Sequence, residues 1–250
     1  VEWLTQAYAA FPLLLWILGS VLACLLGTNL LWFLDGRDFW RGPDRRWLQE
    51  AGRFFFFLGI PYLALGGWPR RPFQGLLSPE DLGLVGFTPP ATGWTVTRWL
   101  GAIGTALGLG LGALLILTLA WANANRKSDA HRVRFPSQPW WMLPVDVLYL
   151  EVHWAFYRGA LAVLLDDVYA GVFLGLGLVY IEWGLNPFWR RGWRLPSLAA
   201  GQWLHAALAL LVALMFLLTR NLWGCLAVHL LLELFFFQLG RERPTFHPAD

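Results

Sequence analysis

Residues 141–165 read WMLPVDVLYLEVHWAFYRGALAVLL, an apolar run long enough to cross a bilayer that nonetheless holds Glu151, His153 and Arg158. Ionisable groups are costly in hydrocarbon and are retained there where they pair, move protons, bind a ligand or catalyse. The run therefore predicts a helix inside a membrane bundle, with its polar groups turned toward other helices. Later stretches repeat the pattern: Glu182 closes residues 168–182, His205 lies in 198–218, and His229 and Glu233 share 222–239.

The rest of the chain agrees with this reading. Of its 250 residues, 57% are hydrophobic and 14% charged, against roughly 25% charged in an ordinary soluble domain. Apolar segments fall at 11–34, 54–67, 99–121, 141–165, 168–182, 198–218 and 222–239, and they leave no soluble domain of ordinary size. The expected fold is all-α: a single polytopic transmembrane helical bundle over residues 1–250 with about seven spanning helices. Segment 54–67, interrupted by Pro61, is expected to be kinked, shallow or short.

Assigning loops to alternate sides puts fourteen of the 19 Lys and Arg residues on one side (Arg37, Arg41, Arg45, Arg46, Arg53, Arg126, Lys127, Arg132, Arg134, Arg190, Arg191, Arg194, Arg241 and Arg243). Arg70, Arg71, Arg98 and Arg220 fall on the other, and Arg158 lies within a helix. Positive-inside bias then orients the N-terminus outside and the C-terminus in the cytoplasm, in a membrane expected to be the bacterial cytoplasmic one. The net charge of +3 is spent on loops and shows neither a basic stripe nor a recognition motif, so the partner is the lipid bilayer and not nucleic acid.

Many of the 17 tryptophans, among them Trp32, Trp99, Trp121, Trp140, Trp141, Trp183, Trp203 and Trp223, lie near expected helix ends and read as an interfacial belt. Gly104, Gly108 and Gly112 recur every four residues, as do Gly171 and Gly175, and both series are expected to pack against neighbouring helices. The Gly/Pro-rich segment 69–90 reads as a non-cytoplasmic loop with a short turn. Cys24 and Cys225 are isolated and suggest no metal cluster or redox pair.

Depth refines the polar residues. His153 falls near the middle of its helix, Glu182 toward the inner end of the next, and His229 and Glu233 share one face four residues apart. His153, Glu182 and His229 are thus expected to face one polar centre. Glu151 and Arg158, seven residues apart, suit an ion pair; His153 has Tyr157 four residues on as a hydrogen-bond candidate; His205 reads as a helix-end residue without a spaced partner.

These residues carry a resemblance to the CPBP family of intramembrane proteins, which includes CAAX-prenyl endopeptidases and bacteriocin-associated homologues. The family joins a Glu-Glu-x-x-x-Arg helix, a Phe-x-x-x-His helix and a final His-x-x-x-Asn or Asp helix. Here residues 153–159, HWAFYRG, are similar to the first, with the Arg-Gly ending kept and both glutamates replaced. Residues 178–182, LVYIE, are similar to the second with Glu182 in the histidine position, and the run from Thr219 to Glu233 resembles the third with Glu233 last. Residues 76–87 resemble the loop before a spanning helix, so the family-like core covers about 54–240.

The resemblance implies a membrane-embedded peptidase or hydrolase with His153, Glu182, His229, Arg158 and Glu233 as catalytic candidates. Glu182 and His153 would supply one base and one orienting group, His229 would face the developing oxyanion, and Glu233 would orient His229 or bind a cation. The substrate implied is a membrane-associated peptide. The alternative is a noncatalytic accessory or scaffold subunit of a larger membrane protein complex on the same fold. The two imidazoles and two carboxylates also suit a divalent ion, but no compact ligand motif fixes a metal, and the residues identify no cofactor.

Overall fold

The computed structural model describes residues 2–35, 37, 44–66, 77–78, 81–84, 95–126 and 139–240. All the regular structure described is helical: α1 (Glu2–Asp35), α2 (Asp44–Phe54), α3 (Ile60–Leu65), α4 (Val96–Arg126), α5 (Met142–Leu165), α6 (Val168–Leu185), α7 (Pro187–Arg194), α8 (Pro196–Thr219) and α9 (Leu222–Gly240). Five of these helices are long and apolar enough to cross a membrane, over Phe11–Asp35, Val96–Asn123, Val168–Leu185, Leu198–Thr219 and Leu222–Gly240. The chain is a helical membrane protein. Its α5 has 24 residues, about 36 Å of helix at 1.5 Å per residue, but Glu151, His153 and Arg158 dilute its apolar character below that of the five.

Two tight turns fix the antiparallel pairs by the same device. At Asp166 (φ 52°) and Arg220 (φ 51°) the backbone turns left-handed. An Asx residue then caps the next helix, with Asp167 Oδ1 accepting from the Tyr169 and Ala170 N–H groups at 2.8 and 3.1 Å, and Asn221 Oδ1 from Trp223 and Gly224 at 3.0 and 3.2 Å. Sharp caps leave no slack between the paired helices. Glycines then let α5 and α6 run closely side by side: a Cβ on Gly171 would stand 2.4 Å from the Ala162 nitrogen, one on Gly175 3.0 Å from that of Arg158.

Small-residue packing thus holds for Gly171 and Gly175 but not for the other series. A Cβ on Gly104, Gly108 or Gly112 would meet nothing within 4 Å among the described residues. The face of α4 that packs is the one carrying Ala106 and Gly110: a Cβ on Gly110 would come within 2.7 Å of Val228 on α9, and Ala106 lies beside Gly224. A four-residue repeat marks a shared face without saying which way the face points.

The segment at 54–67 departs from a continuous span. α2 is strongly amphipathic, and between it and α3 the chain opens into one π turn, Phe55–Gly59, in which the Ile60 N–H donates to the Phe55 carbonyl. Pro61 follows at once; it has no N–H and crowds the carbonyl four residues back, and the wider turn absorbs that conflict. Arg53, next to this break, pairs with Asp146 near the start of α5 and with Glu50 at 3.1 Å. Burial works to lower its pKa, but those two carboxylates outweigh burial and hold it above the ordinary value.

Both ends of the bundle can be followed from these contacts. One end gathers Arg53, the start of α5, the C-terminus of α1 and α7, because the Trp32 ring on α1 meets Phe188 on α7 at 5.0 Å. The other end gathers the α5–α6 and α8–α9 turns and residues 81–84, where the Gly83 carbonyl accepts from the Leu222 N–H at 2.9 Å. There a Cβ on Gly159 would stand 2.9 Å from the Asp81 carbonyl oxygen, which is why the residue after Arg158 has no side chain. Ser78 and Asp81 close this short turn through Oγ to Oδ2 at 2.9 Å. The remainder of 69–90, together with Arg41, Arg70, Arg71, Lys127, Arg132, Arg134, Arg241 and Arg243, lies outside the described residues.

Candidate functional site

The polar interior is organised by α5. Glu151 and His153 are two residues apart, about 200° around a helix of 3.6 residues per turn, so their side chains leave from nearly opposite faces. Each face builds its own network.

On the face toward α1 and α6, His153 Nε2 lies 3.0 Å from Glu182 Oε2, with both residues buried. The other carboxylate oxygen, Glu182 Oε1, accepts a short hydrogen bond from the Tyr157 hydroxyl. That hydroxyl is also hydrogen bonded to Ser20 Oγ on α1 at 2.9 Å. A tyrosine has one proton, so with it directed to the carboxylate the Ser20 hydroxyl donates to the tyrosine oxygen. Phe56 and Phe57 from the π turn close over the His153 ring, at centroid distances of 4.5 and 5.4 Å. His153 and Tyr157 meet ring to ring at 4.6 Å, edge on; the hydrogen bond expected between them goes from each to Glu182 instead.

On the opposite face, Glu151 Oε1 lies 2.8 Å from His229 Nδ1, and Glu151 Oε2 lies 3.6 Å from Arg158 Nη2. Glu151 and His229 are fully buried. His229 Nε2 faces Glu233 Oε1 at 3.7 Å, too long for a hydrogen bond but close for charges, and Glu233 Oε1 lies 3.2 Å from His205 Nε2. The Trp154 ring stacks on His229 at 5.3 Å and an interplanar angle of 9°, and the Arg158 guanidinium lies 4.6 Å over the Phe216 ring. This network joins α5, α8 and α9.

The single centre expected from His153, Glu182 and His229 is therefore two centres. No hydrogen bond or ion pair among the described residues links the pair His153–Glu182 to the group Glu151–Arg158–His229–Glu233–His205. The helix itself separates them, since α5 presents His153 and Tyr157 to one side and Glu151, Trp154 and Arg158 to the other. His205 is also corrected. Its Nδ1 bonds the Gly201 carbonyl at 2.8 Å, the local role expected of it, while its Nε2 reaches across to Glu233.

Chemically, each centre is a hydrogen-bonded set of carboxylate and imidazole. In the second, Arg158 balances one of two glutamates, and an imidazole or a carboxyl proton must balance the other, because an unpaired charge in this interior costs several kcal/mol. The groups are strung along three helices rather than gathered. Among the described residues, no cluster of three or more His, Cys, Asp or Glu side chains is arranged to hold a metal ion. The cavity lined by Trp154, Arg158, Gly175, Val179, Ala209 and Ala213 measures about 10 Å³, room for about one water molecule. His153 Nδ1, His229 Nε2 and Arg158 Nε are buried without a hydrogen-bond partner.

Sequence reasoning missed Tyr157 as a ligand of Glu182, Ser20 behind it, and Glu151 as the partner of His229. The signal for the last was present: Glu151 shares a face with Arg158 and Trp154, and that face excludes His153. The contact between Ser20 and Tyr157 joins residues 137 apart in sequence, and no local spacing announces it.

No family model matches the chain, and no curated protein and no solved structure matches it.

Proposed function

We propose that this chain is a noncatalytic accessory or scaffold subunit of a membrane protein complex, built on a CPBP-like bundle. The observation that carries the reading is the division of the ionisable residues across α5. A helix with its side chains is about 10–12 Å wide, and one water cannot lie between Glu182 and His153 and also face His229 on the far side. Size argues the same way beside Trp154 and Arg158, where the cavity of about 10 Å³ has room for a water molecule and not for a peptide segment. The buried charges are consumed in pairing with one another, the use by which they specify which helix face meets which.

The CPBP-like core, about 54–240, is supported by the retained Arg158-Gly159, whose glycine seats residues 81–84 against α5. The two ends of the bundle support a seven-pass topology. Arg53 lies at one and Gly83 at the other, which favours a broken segment that traverses the bundle and an α5 that crosses as a charged helix among its neighbours. Arg37, Arg53, Arg190, Arg191 and Arg194 share the first end, whereas Arg98 and Arg220 belong to the second. Positive-inside bias makes the first end cytoplasmic, with the N-terminus outside and the C-terminus inside.

A hydrolase reading keeps one supporting observation. Glu182 orients the His153 imidazole at 3.0 Å and leaves Nδ1 without a partner, a base poised to take a proton from water. One experiment separates the two. The full chain is extracted from its native membrane in mild detergent, sized on a native gel, and incubated with membrane-peptide substrates as wild type, His153→Ala, Glu182→Gln and the paired His153→Gln/Glu182→Gln. The accessory reading expects a species larger than the monomer, retained by the paired variant, and no cleavage. Cleavage by the wild type that both single variants lose, with assembly intact, would establish the hydrolase instead.

A further inference from the structure

The connection between two membrane-crossing helices, α6 and α8, is a helix of eight residues, PFWRRGWR, held at the membrane face by the spans on either side. Its faces are chemically opposite. Arg190, Arg191 and Arg194 occupy about 100° of arc at 100° per residue, and all three side chains are exposed. Trp189, Gly192 and Trp193 take the other side, against the bundle. Trp189 stacks on Trp183 at 4.3 Å and 7°, Trp193 meets Trp203 edge on at 4.6 Å, and Gln202 Nε2 donates to the Trp189 carbonyl at 3.1 Å. A Cβ on Gly192 would fall 1.9 Å from Gln202 Nε2, so α7 lies directly on α8. Asn186 caps its start and Pro196 follows its end, which fixes the helix as a rigid platform.

The three arginines carry no ion pair among the described residues. From Trp183 to Leu232 the sequence holds no Asp or Glu. Arg191 rests 5.9 Å over the Trp32 ring, and Arg37, over Phe33 at 4.3 Å, adds a fourth cation at the same end, where Asp35 closes α1 as one carboxylate against the four. A cationic strip backed by tryptophans, at the level where headgroups lie, matches an anionic phospholipid in charge and in depth. Arginine adds bidentate geometry for phosphate.

We propose that Arg190, Arg191 and Arg194 on α7 form a binding site for the headgroups of anionic phospholipids. The site is independent of the accessory reading and of the interior networks.

The test uses the purified full chain in nanodiscs of phosphatidylcholine, alone or mixed with a minority of phosphatidylglycerol, with retained lipids counted by native mass spectrometry. Wild type should retain phosphatidylglycerol in preference to phosphatidylcholine, and added salt should weaken the preference because exposed charges are screened. The variant R190Q/R191Q/R194Q should lose about fivefold in preference per arginine, the factor given by ~1 kcal/mol per charge at an anionic surface. R190K/R191K/R194K should retain most of it, since the charges remain. The glutamine variant should melt with wild type, because the replaced side chains are exposed. An undiminished preference in the glutamine variant would overturn the proposal, as would equal retention of the two lipids by wild type.

Discussion

Replacing Gly171 by alanine adds one methyl group where α5 and α6 are closest. The new Cβ would stand 2.4 Å from the Ala162 nitrogen and 2.5 Å from its Cα. Both are backbone atoms and cannot rotate away. Reaching an ordinary contact of about 3.4 Å requires the helices to part by about 1 Å, and overpacking of that kind costs about 1–3 kcal/mol. Alanine also favours helix over glycine by about 0.5–1 kcal/mol, so Gly171→Ala by itself mixes two effects. Gly104→Ala supplies the reference, because it carries the same propensity gain where none of the described residues lies within 4 Å. The difference between the two variants isolates the packing cost. Thermal unfolding in one detergent should place Gly171→Ala below Gly104→Ala by about 2–4 °C for each kcal/mol. The parting should also stretch His153 from Glu182, which lie on these same two helices. Equal melting temperatures would refute the close approach of α5 and α6.

Tyr157→Phe removes the proton that Glu182 Oε1 accepts and strands a buried carboxylate oxygen, for an expected loss of about 1–3 kcal/mol in the same unfolding assay; Ser20→Ala, one bond farther out, should cost less. Asn221→Ala deletes the cap of α9 and should cost about 1 kcal/mol, with faster amide exchange confined to the first turn of that helix. His205→Ala should destabilise the bundle through Glu233, and adding Glu233→Gln should recover part of the loss, because the carboxylate then no longer needs a partner.

Much of the fold was legible because a membrane helix declares itself by length and apolarity, and the bounds of α6, α8 and α9 lie close to the apolar runs that announce them. The amphipathic helices α2 and α7 were hidden in what reads as basic loop, since eight or eleven residues with several arginines carry no apolar run. Pairings along one helix were legible for a related reason: Glu151 with Arg158 and His229 with Glu233 follow from seven- and four-residue spacing. Pairings between helices depend on rotation about each axis, which apolar sequence hardly specifies when a helix is hydrophobic all round. The same ignorance of rotation turned Gly104 inward and drew His229 toward His153. Only α5 carried the information to correct this, in the two-residue offset between Glu151 and His153.

The division of the interior by α5 is tested most directly by double-mutant cycles on folding stability. Cycles joining Glu151→Gln with His229→Gln, and His153→Gln with Glu182→Gln, should each show a coupling energy above about 1 kcal/mol, as contacting buried pairs do. Cycles joining His153→Gln with His229→Gln, and Glu182→Gln with His229→Gln, should be additive within about 0.5 kcal/mol. Coupling of His229 to His153 or Glu182 as strong as its coupling to Glu151 would contradict two separate networks and restore a single polar centre.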